Sequence, residues 1–133
     1  TFSANNSGGQ GGIVYLGGHL APPRLSSKTE DEAMEKARQN RQIIEGLFEE
    51  LNGQSRDILL VNDVTLYLQA GTAEALIRYL EQAATVGANG YWGQRLGGGI
   101  LTERERVETE KLKAYFEHQG RVLILKFSRA CRI

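Results

Sequence analysis

The second strand of the fold is predicted by residues 56–63, which read Arg-Asp-Ile-Leu-Leu-Val-Asn-Asp. Ile58 to Val61 form a continuous apolar run, and two polar residues, Asn62 and Asp63, follow it directly. A continuous apolar run indicates a strand that is covered on both faces, as in parallel sheets. The stretch therefore predicts a buried strand that ends in a polar turn.

Three further runs of this kind lie at residues 12–16, 84–88 and 121–127, and charged segments with helical periodicity separate them. We predict an α/β fold in three layers, with a mostly parallel sheet of about four strands and helices on both faces, in a Rossmann-like or P-loop-like topology. The residues predicted to build its core are Ile13, Val14, Leu16, Ile58, Leu60, Leu76, Ile77, Leu80, Leu123 and Leu125.

The first long helix has capping signals at both ends. Ser27 and Thr29 each have a glutamate three residues later, and the helix should end near Leu51, before Asn52-Gly53. Asn40 falls on its apolar stripe. We place this amide where the stripe meets the surface; the alternative is a bonded partner inside the core.

The remaining segments are assigned in the same way. Residues 64–71 alternate apolar and polar side chains and read as a continued strand or a loop. Thr72 begins the next helix. Thr102, with Glu105 three residues later, begins a last helix that runs to His118 and presents a solvated, self-paired charged face.

Length and composition set the domain organisation. Residues 1–12 are rich in Gly, Ser and Asn and are predicted to be a flexible tail or linker, and residues 13–133 a single α/β domain. The chain begins at Thr1 and its only methionine is Met34, so we expect a piece of a longer protein. A single cysteine, Cys131, is typical of a reducing compartment and predicts a cytoplasmic location.

Net charge and hydropathy each exclude one class of partner. Sixteen Lys and Arg residues face sixteen Asp and Glu residues, for a net charge of zero. Nucleic-acid binding depends on a basic excess, so no nucleic-acid partner is expected. No apolar stretch approaches the roughly 20 residues of a membrane span, so no membrane partner is expected either. The partners that remain are a small phosphate-bearing ligand, another protein, or a further copy of this chain.

Small and polar residues follow three of the predicted strands. The carboxyl ends of parallel strands meet at the same edge of a sheet, so these residues are predicted to line one crevice that binds a ligand. They are Gly17, Gly18, His19, Asp63, Asn89 and Gly90, and Asn62 is a further candidate for ligand binding beside Asp63.

Residues 56–63 resemble in outline the Walker B strand of P-loop nucleotide hydrolases, whose terminal carboxylate holds Mg²⁺ through water. That resemblance implies that Asp63 binds magnesium together with a nucleotide. The glycine-rich Walker A signature is absent from the chain. The competing interpretation of Asp63 is a turn or helix-capping residue.

His19 and Arg24 follow the first strand in a loop shaped by two prolines. His19 is a candidate general base, acting with Asp63, and also reads as an ordinary loop histidine. Arg24 is a candidate clamp for an anionic ligand.

Residues 89–99 combine several glycines with Tyr91, the only tryptophan, Trp92, and Arg95. The loop over 91–99 is predicted to be more mobile than the flanking helices and to contact a ligand or a protein through Trp92 or Arg95. Alternatively, Trp92 folds inward to fill the core.

Three functions fit these observations. The first is an α/β domain that binds a nucleotide or phosphate ligand, for sensing or hydrolysis, with its crevice at the strand ends. The second is a protein-interaction or assembly domain without catalysis of its own. The third is a small hydrolase or transferase that uses His19 and Asp63, so the sequence leaves open whether the protein is an enzyme.

Overall fold

The computed structural model describes residues 5–6, 13–53, 56–92 and 99–119. These ranges alternate helices with short strands. In chain order the elements are β1 (Asn5–Asn6), β2 (Val14–Tyr15), α1 (Pro23–Ser26), α2 (Glu30–Leu51), β3 (Arg56–Val61), α3 (Val64–Leu68), α4 (Ala73–Leu80), β4 (Ala83–Ala88) and α5 (Ile100–His118).

The described strands form two small sheets. β3 and β4 pair in parallel, with Ile58 opposite Thr85 and Val61 opposite Ala88. β1 and β2 pair antiparallel. The α/β class and a parallel strand pair are therefore confirmed, whereas a three-layer sheet of about four strands is not seen in the described ranges. The predicted strand at residues 121–127 lies outside them.

The main core lies between one face of β3–β4 and the helices α2 to α5. Side chains alternate between the two faces of a strand, so Leu59 and Val61 of β3 point the same way, and both pack against the helices together with Val86 of β4. The buried residues of this core are Phe48, Val64, Tyr67, Leu68, Ala73, Leu76, Leu80 and Leu112.

Two residues on the opposite face of β3 were predicted to lie in the core, and the structure shows them exposed. Ile58 is 64% exposed and Leu60 is 78% exposed. Both point away from the described helices, which pack on the side of Leu59. The apolar run was read as covered on both faces, but the described structure covers only one.

The other described residues predicted to lie in the core are buried or partly buried in α4 and exposed or half-buried near β2. Leu76 and Leu80 are buried as predicted, and Ile77 packs against the core from its edge. Ile13 is 81% exposed and Val14 is also exposed, because β2 pairs with β1 and lies outside the β3–β4 sheet. Leu16 is half-buried. Leu123 and Leu125 lie outside the described residues.

α2 has the predicted ends. The hydroxyl of Thr29 accepts a hydrogen bond from the N–H of Glu32 and caps the first turn, which is acidic and so complements the helix dipole. Asn52 caps the other end, and Gly53 follows with φ of +77°, a conformation that glycine adopts without strain.

Asn40 of α2 does not lie at the edge of the apolar stripe, where we predicted it. It is 1% exposed, and its amide donates to the carbonyl of Ala21 at 2.7 Å and accepts from the N–H of Ala21 at 3.0 Å. A buried amide needs such partners, and here they fasten the loop before α1 to the middle of α2. The core alternative was the correct one.

Two other elements differ from the predictions. Residues 64–71, read as strand or loop, begin with the short helix α3, and α5 begins at Ile100 after Gly99, two residues before Thr102. Thr102 is not the predicted N-cap, because α5 starts two residues earlier and Thr102 lies within its first turn. Its hydroxyl instead accepts from Nη1 of Arg24 at 3.0 Å.

The charged face of α5 is only partly solvated. Lys111 pairs with Glu108 at 2.9 Å as its spacing predicts, but Glu108 is 7% exposed and Glu105 is 5% exposed. Charged side chains are seldom this buried unless they are paired. Both carboxylates bond to other elements, so the prediction of a purely solvated face was wrong for them.

Among the described residues, no helix combines the length and apolar character needed to cross a membrane.

Candidate functional site at the strand ends

Asn89 joins the carboxyl ends of β3 and β4. Its N–H donates to the carbonyl of Val61 at 3.2 Å, and its carbonyl accepts from the N–H of Val64 at 2.8 Å. Its side-chain oxygen accepts from the N–H of Asp63 at 2.6 Å, and its side-chain nitrogen donates to Oδ1 of Asn62 at 2.9 Å. One residue thus fixes the backbone and side chains of the turn that follows β3.

Asp63 has a left-handed backbone, with φ of 59° and ψ of 65°. It is the one non-glycine residue with positive φ in the described part of the chain. This conformation is unfavourable for most residues and less so for Asp, and it persists where surrounding contacts hold it. Its Oδ1 accepts from the hydroxyl of Thr65 at 2.7 Å. The second carboxylate oxygen has no hydrogen-bond partner among the described residues, so an exposed acceptor is held in a defined place.

Thr65 links this turn to the segment after β4. It is 3% exposed, and its hydroxyl also accepts from the N–H of Tyr91 at 3.0 Å. A Cβ on Gly90 would lie 2.6 Å from Cγ2 of Thr65, so only glycine permits this approach. Neither Thr65 nor Tyr91 was predicted from the sequence to be a site residue. A threonine two residues after an aspartate is a local bonding pattern that could have identified the first.

Trp92 lies directly after this cluster and is 50% exposed, so it does not fill the core. The ammonium of Lys113 lies 5.4 Å from the centroid of its ring, within the range of a cation–π contact. Lys113 is on α5, 21 positions later in the chain, and no local pattern could have paired the two residues.

The structure therefore brings together four of the predicted residues, Asn62, Asp63, Asn89 and Gly90, and places Trp92 beside them. The cluster formed by these five residues with Thr65 and Tyr91 is called the strand-end site below.

The loop of Gly17, Gly18 and His19 packs elsewhere. A Cβ on Gly18 would lie 2.7 Å from Cγ2 of Ile43, which places this loop against α2. His19 is exposed. A hydrolase built on His19 and Asp63 needs these side chains to meet, and no contact between them is found in the described ranges.

Arg24 is held within the fold. Its guanidinium donates to the carboxylate of Glu105 at 3.0 and 3.3 Å and to the hydroxyl of Thr102. Its side chain is only 15% exposed. In this arrangement the guanidinium ties α1 to α5 and lies apart from the strand-end site. Arg95 lies outside the described residues.

The metal-binding capacity of the strand-end site is limited to one carboxylate. In the described ranges, no three His, Cys, Asp or Glu side chains cluster closely enough to hold a metal ion. Mg²⁺ commonly takes one or two carboxylates and completes its shell with water and substrate phosphates. Asp63 fits that lesser role, with Asn62 as a neighbouring oxygen donor.

A groove of about 570 Å³ lies elsewhere, between the N-terminal ends of α2 and α5. Two of its charged residues are engaged in the fold. Arg104 donates to the carbonyls of Ala70 and Gly71, and Glu108 accepts from the N–H of Ala73. These two side chains therefore serve the fold and are not available to a ligand in the groove.

Comparison with known proteins returned no match of the chain to a protein-family model, a curated protein or a solved structure. Any functional assignment therefore depends on the geometry of the chain itself.

Proposed function

We propose that this chain is an α/β domain that binds a nucleotide or another phosphate-bearing ligand at the strand-end site, with Mg²⁺ held through Asp63. Binding at the carboxyl ends of parallel strands is the general behaviour of open α/β sheets. The low cysteine content is consistent with the cytoplasmic location that we propose for it.

The observation that carries the proposal is the exposed but rigidly held carboxylate of Asp63. Its backbone is in an unfavourable region, and the contacts of Asn89 and Thr65 maintain it there. A strained residue held by surrounding bonds is characteristic of functional sites. A simple turn would not require this strain, because a glycine would adopt the same conformation freely.

The substitution Asp63→Asn tests the role of the charge. Asn tolerates the left-handed backbone and can still accept from Thr65, so the fold should be retained. We expect Asp63→Asn to weaken the binding of MgATP or MgGTP about tenfold or more, because a hydrogen bond to a charged group contributes roughly 1.5–3 kcal/mol. Isothermal titration calorimetry with and without Mg²⁺ measures the effect.

Asp57→Asn is the matched control. Asp57 is an exposed aspartate on the same strand, at its amino end. It should leave the affinity unchanged. The proposal is wrong if wild-type protein binds neither nucleotide, or if the two substitutions weaken binding equally.

A second candidate function, protein assembly, is favoured by the open face of β3 and β4, which consists of Ile58, Leu60 and Thr85. Parallel strands are normally covered on both faces, yet these two apolar side chains are 64% and 78% exposed. We propose that a second copy of the chain covers this face and supplies the third layer of the predicted sandwich. Burying a large aliphatic side chain contributes about 1.5–3 kcal/mol.

The oligomeric state tests this second candidate. Light scattering after size exclusion should show a wild-type dimer and a Leu60→Ser monomer. Leu25 is 80% exposed on α1, and Leu25→Ser should remain dimeric as a control. A wild-type monomer at all accessible concentrations would contradict the assembly function.

A further inference from the structure

Trp92 is placed where a ligand of the strand-end site would extend. It follows Asn89 by three positions, and three residues span at most about 11 Å. Asn89 itself bonds to Asp63 and Asn62. A ligand whose polar end reaches Asp63 can therefore place another group against Trp92 if it is about the size of a nucleotide.

The backbone leading to Trp92 is fixed. The N–H of Tyr91 donates to the buried hydroxyl of Thr65, and Gly90 packs directly on the same threonine. The Trp92 side chain nevertheless remains 50% exposed. A large aromatic surface is thus held in place without being buried by the described part of the fold.

Lys113 places a positive charge against the ring of Trp92. Its ammonium lies 5.4 Å from the ring centroid, and it also lies 3.6 Å from Oε1 of Glu117, which orients it from the next turn of α5. The ammonium lies over the ring, and the 50% of the Trp92 surface that remains exposed is accessible to a planar partner. Heteroaromatic bases stack on such side chains with little dependence on sequence, because each base has a π-face.

We propose that Trp92, supported by Lys113, is the platform on which the heteroaromatic ring of a nucleotide stacks. This inference rests on the proposed function of the strand-end site and names the class of ligand: a nucleotide in preference to a free phosphate or polyphosphate. Asp63 takes the polar end of the ligand and Trp92 takes the base.

The test compares MgATP with magnesium triphosphate, which has the same phosphate chain and no ring. Trp92 is the only tryptophan, so its fluorescence, excited near the red edge of its absorption, reports on this position alone. We expect ATP to bind about tenfold or more tightly than triphosphate and to quench the fluorescence, since stacking on one aromatic side chain contributes roughly 1–3 kcal/mol. Calorimetry gives the affinities independently.

Three variants separate stacking from a merely structural role. Trp92→Ala should lower the affinity for ATP to that for triphosphate and leave triphosphate binding unchanged. Trp92→Phe should restore part of the ATP affinity. Tyr15→Ala removes an aromatic ring that is 67% exposed on β2 and should change neither affinity. Circular dichroism melts confirm that each variant is folded.

The outcomes of these measurements distinguish the stacking platform from the ligand site itself. If ATP and triphosphate bind equally well, and Asp63→Asn weakens both, the ligand site stands and the stacking platform is wrong. The platform is also wrong if ATP binds without quenching, or if Trp92→Ala binds ATP like the wild type. If neither compound binds, the proposed function and this inference fail together.

Discussion

Asn89 shows how one side chain can serve both the fold and a site. It lies at the surface, where an asparagine is ordinarily replaceable, yet its side chain bonds to the backbone of one neighbour and the amide of another. It also holds Asp63 in its left-handed conformation. The polar residues at the strand ends were predicted from the sequence because strand ends converge, but the dependence of the turn on Asn89 arises from pairing across 26 positions.

Asn89→Ala should lower the free energy of unfolding by about 1–3 kcal/mol, because two side-chain hydrogen bonds are lost at roughly 0.5–1.5 kcal/mol each. Urea denaturation measures the change. Gln42→Ala, which shortens an exposed amide side chain on α2, should stay within about 0.5 kcal/mol of the wild type. An equal effect of the two substitutions would show that Asn89 does not hold the turn.

At the scale of elements, the helices whose signals are local were predicted and those that depend on distant partners were not. Thr29 and Thr72 both cap helices from their own chain neighbourhood, as their spacing predicts. Thr102 has the same local pattern, but α5 begins two residues before it, and its hydroxyl accepts from Arg24 of α1. The capping pattern thus located the start of this helix to within a few residues and did not identify its cap.

The N-terminus of α4 depends on another element. Glu108 of α5 accepts from the N–H of Ala73 at 2.8 Å and pairs with Lys111. Burial raises the pKa of Glu108, but the bonds from Ala73 and Lys111 outweigh it and hold the pKa below its usual range. The carboxylate therefore joins the end of one helix to the side of another most strongly while it is ionised.

This link predicts a pH dependence. The folded pKa of Glu108 lies below the unfolded value, so its stabilisation is fully present above that value, 4.5, and is lost as the pH falls through the folded pKa. Glu108→Gln should make the stability less sensitive to acid, as measured by thermal melts at a series of pH values. Glu110→Gln removes an exposed carboxylate from the same helix as a control. Parallel acid profiles for wild type and Glu108→Gln would contradict the link.

At the scale of the whole molecule, a buried polar network joins three segments that are far apart in the sequence. Glu105 of α5 accepts from Arg24 of α1 and from Gln69, which ends α3, at 2.7 Å. The exposed fractions of the Arg24 and Glu105 side chains are 15% and 6%. Composition and spacing predicted solvated charges on α5 and an anion clamp at Arg24, because neither pattern records which charged groups will be buried together.

Breaking this network should be costly because it leaves a charge without its partner. We expect Arg24→Met to lower the free energy of unfolding by roughly 3–5 kcal/mol, a large share of the 5–15 kcal/mol typical of a domain. Glu105→Gln keeps an acceptor for Gln69 and should cost less. The double variant should cost less than the sum of the two, with a coupling energy of about 1–3 kcal/mol in urea denaturation, since it leaves no unpaired buried charge.

The exposed ion pair of Arg38 and Glu35 supplies a control double-mutant cycle. The side chains of Arg38 and Glu35 are 61% and 60% exposed, and Nη1 of Arg38 lies 3.5 Å from Oε2 of Glu35. Water screens the attraction between these two charges. Arg38→Met and Glu35→Gln should each change the stability by less than about 0.5 kcal/mol and show almost no coupling. If both cycles give the same small coupling, the pair of Arg24 and Glu105 does not hold α1 to α5.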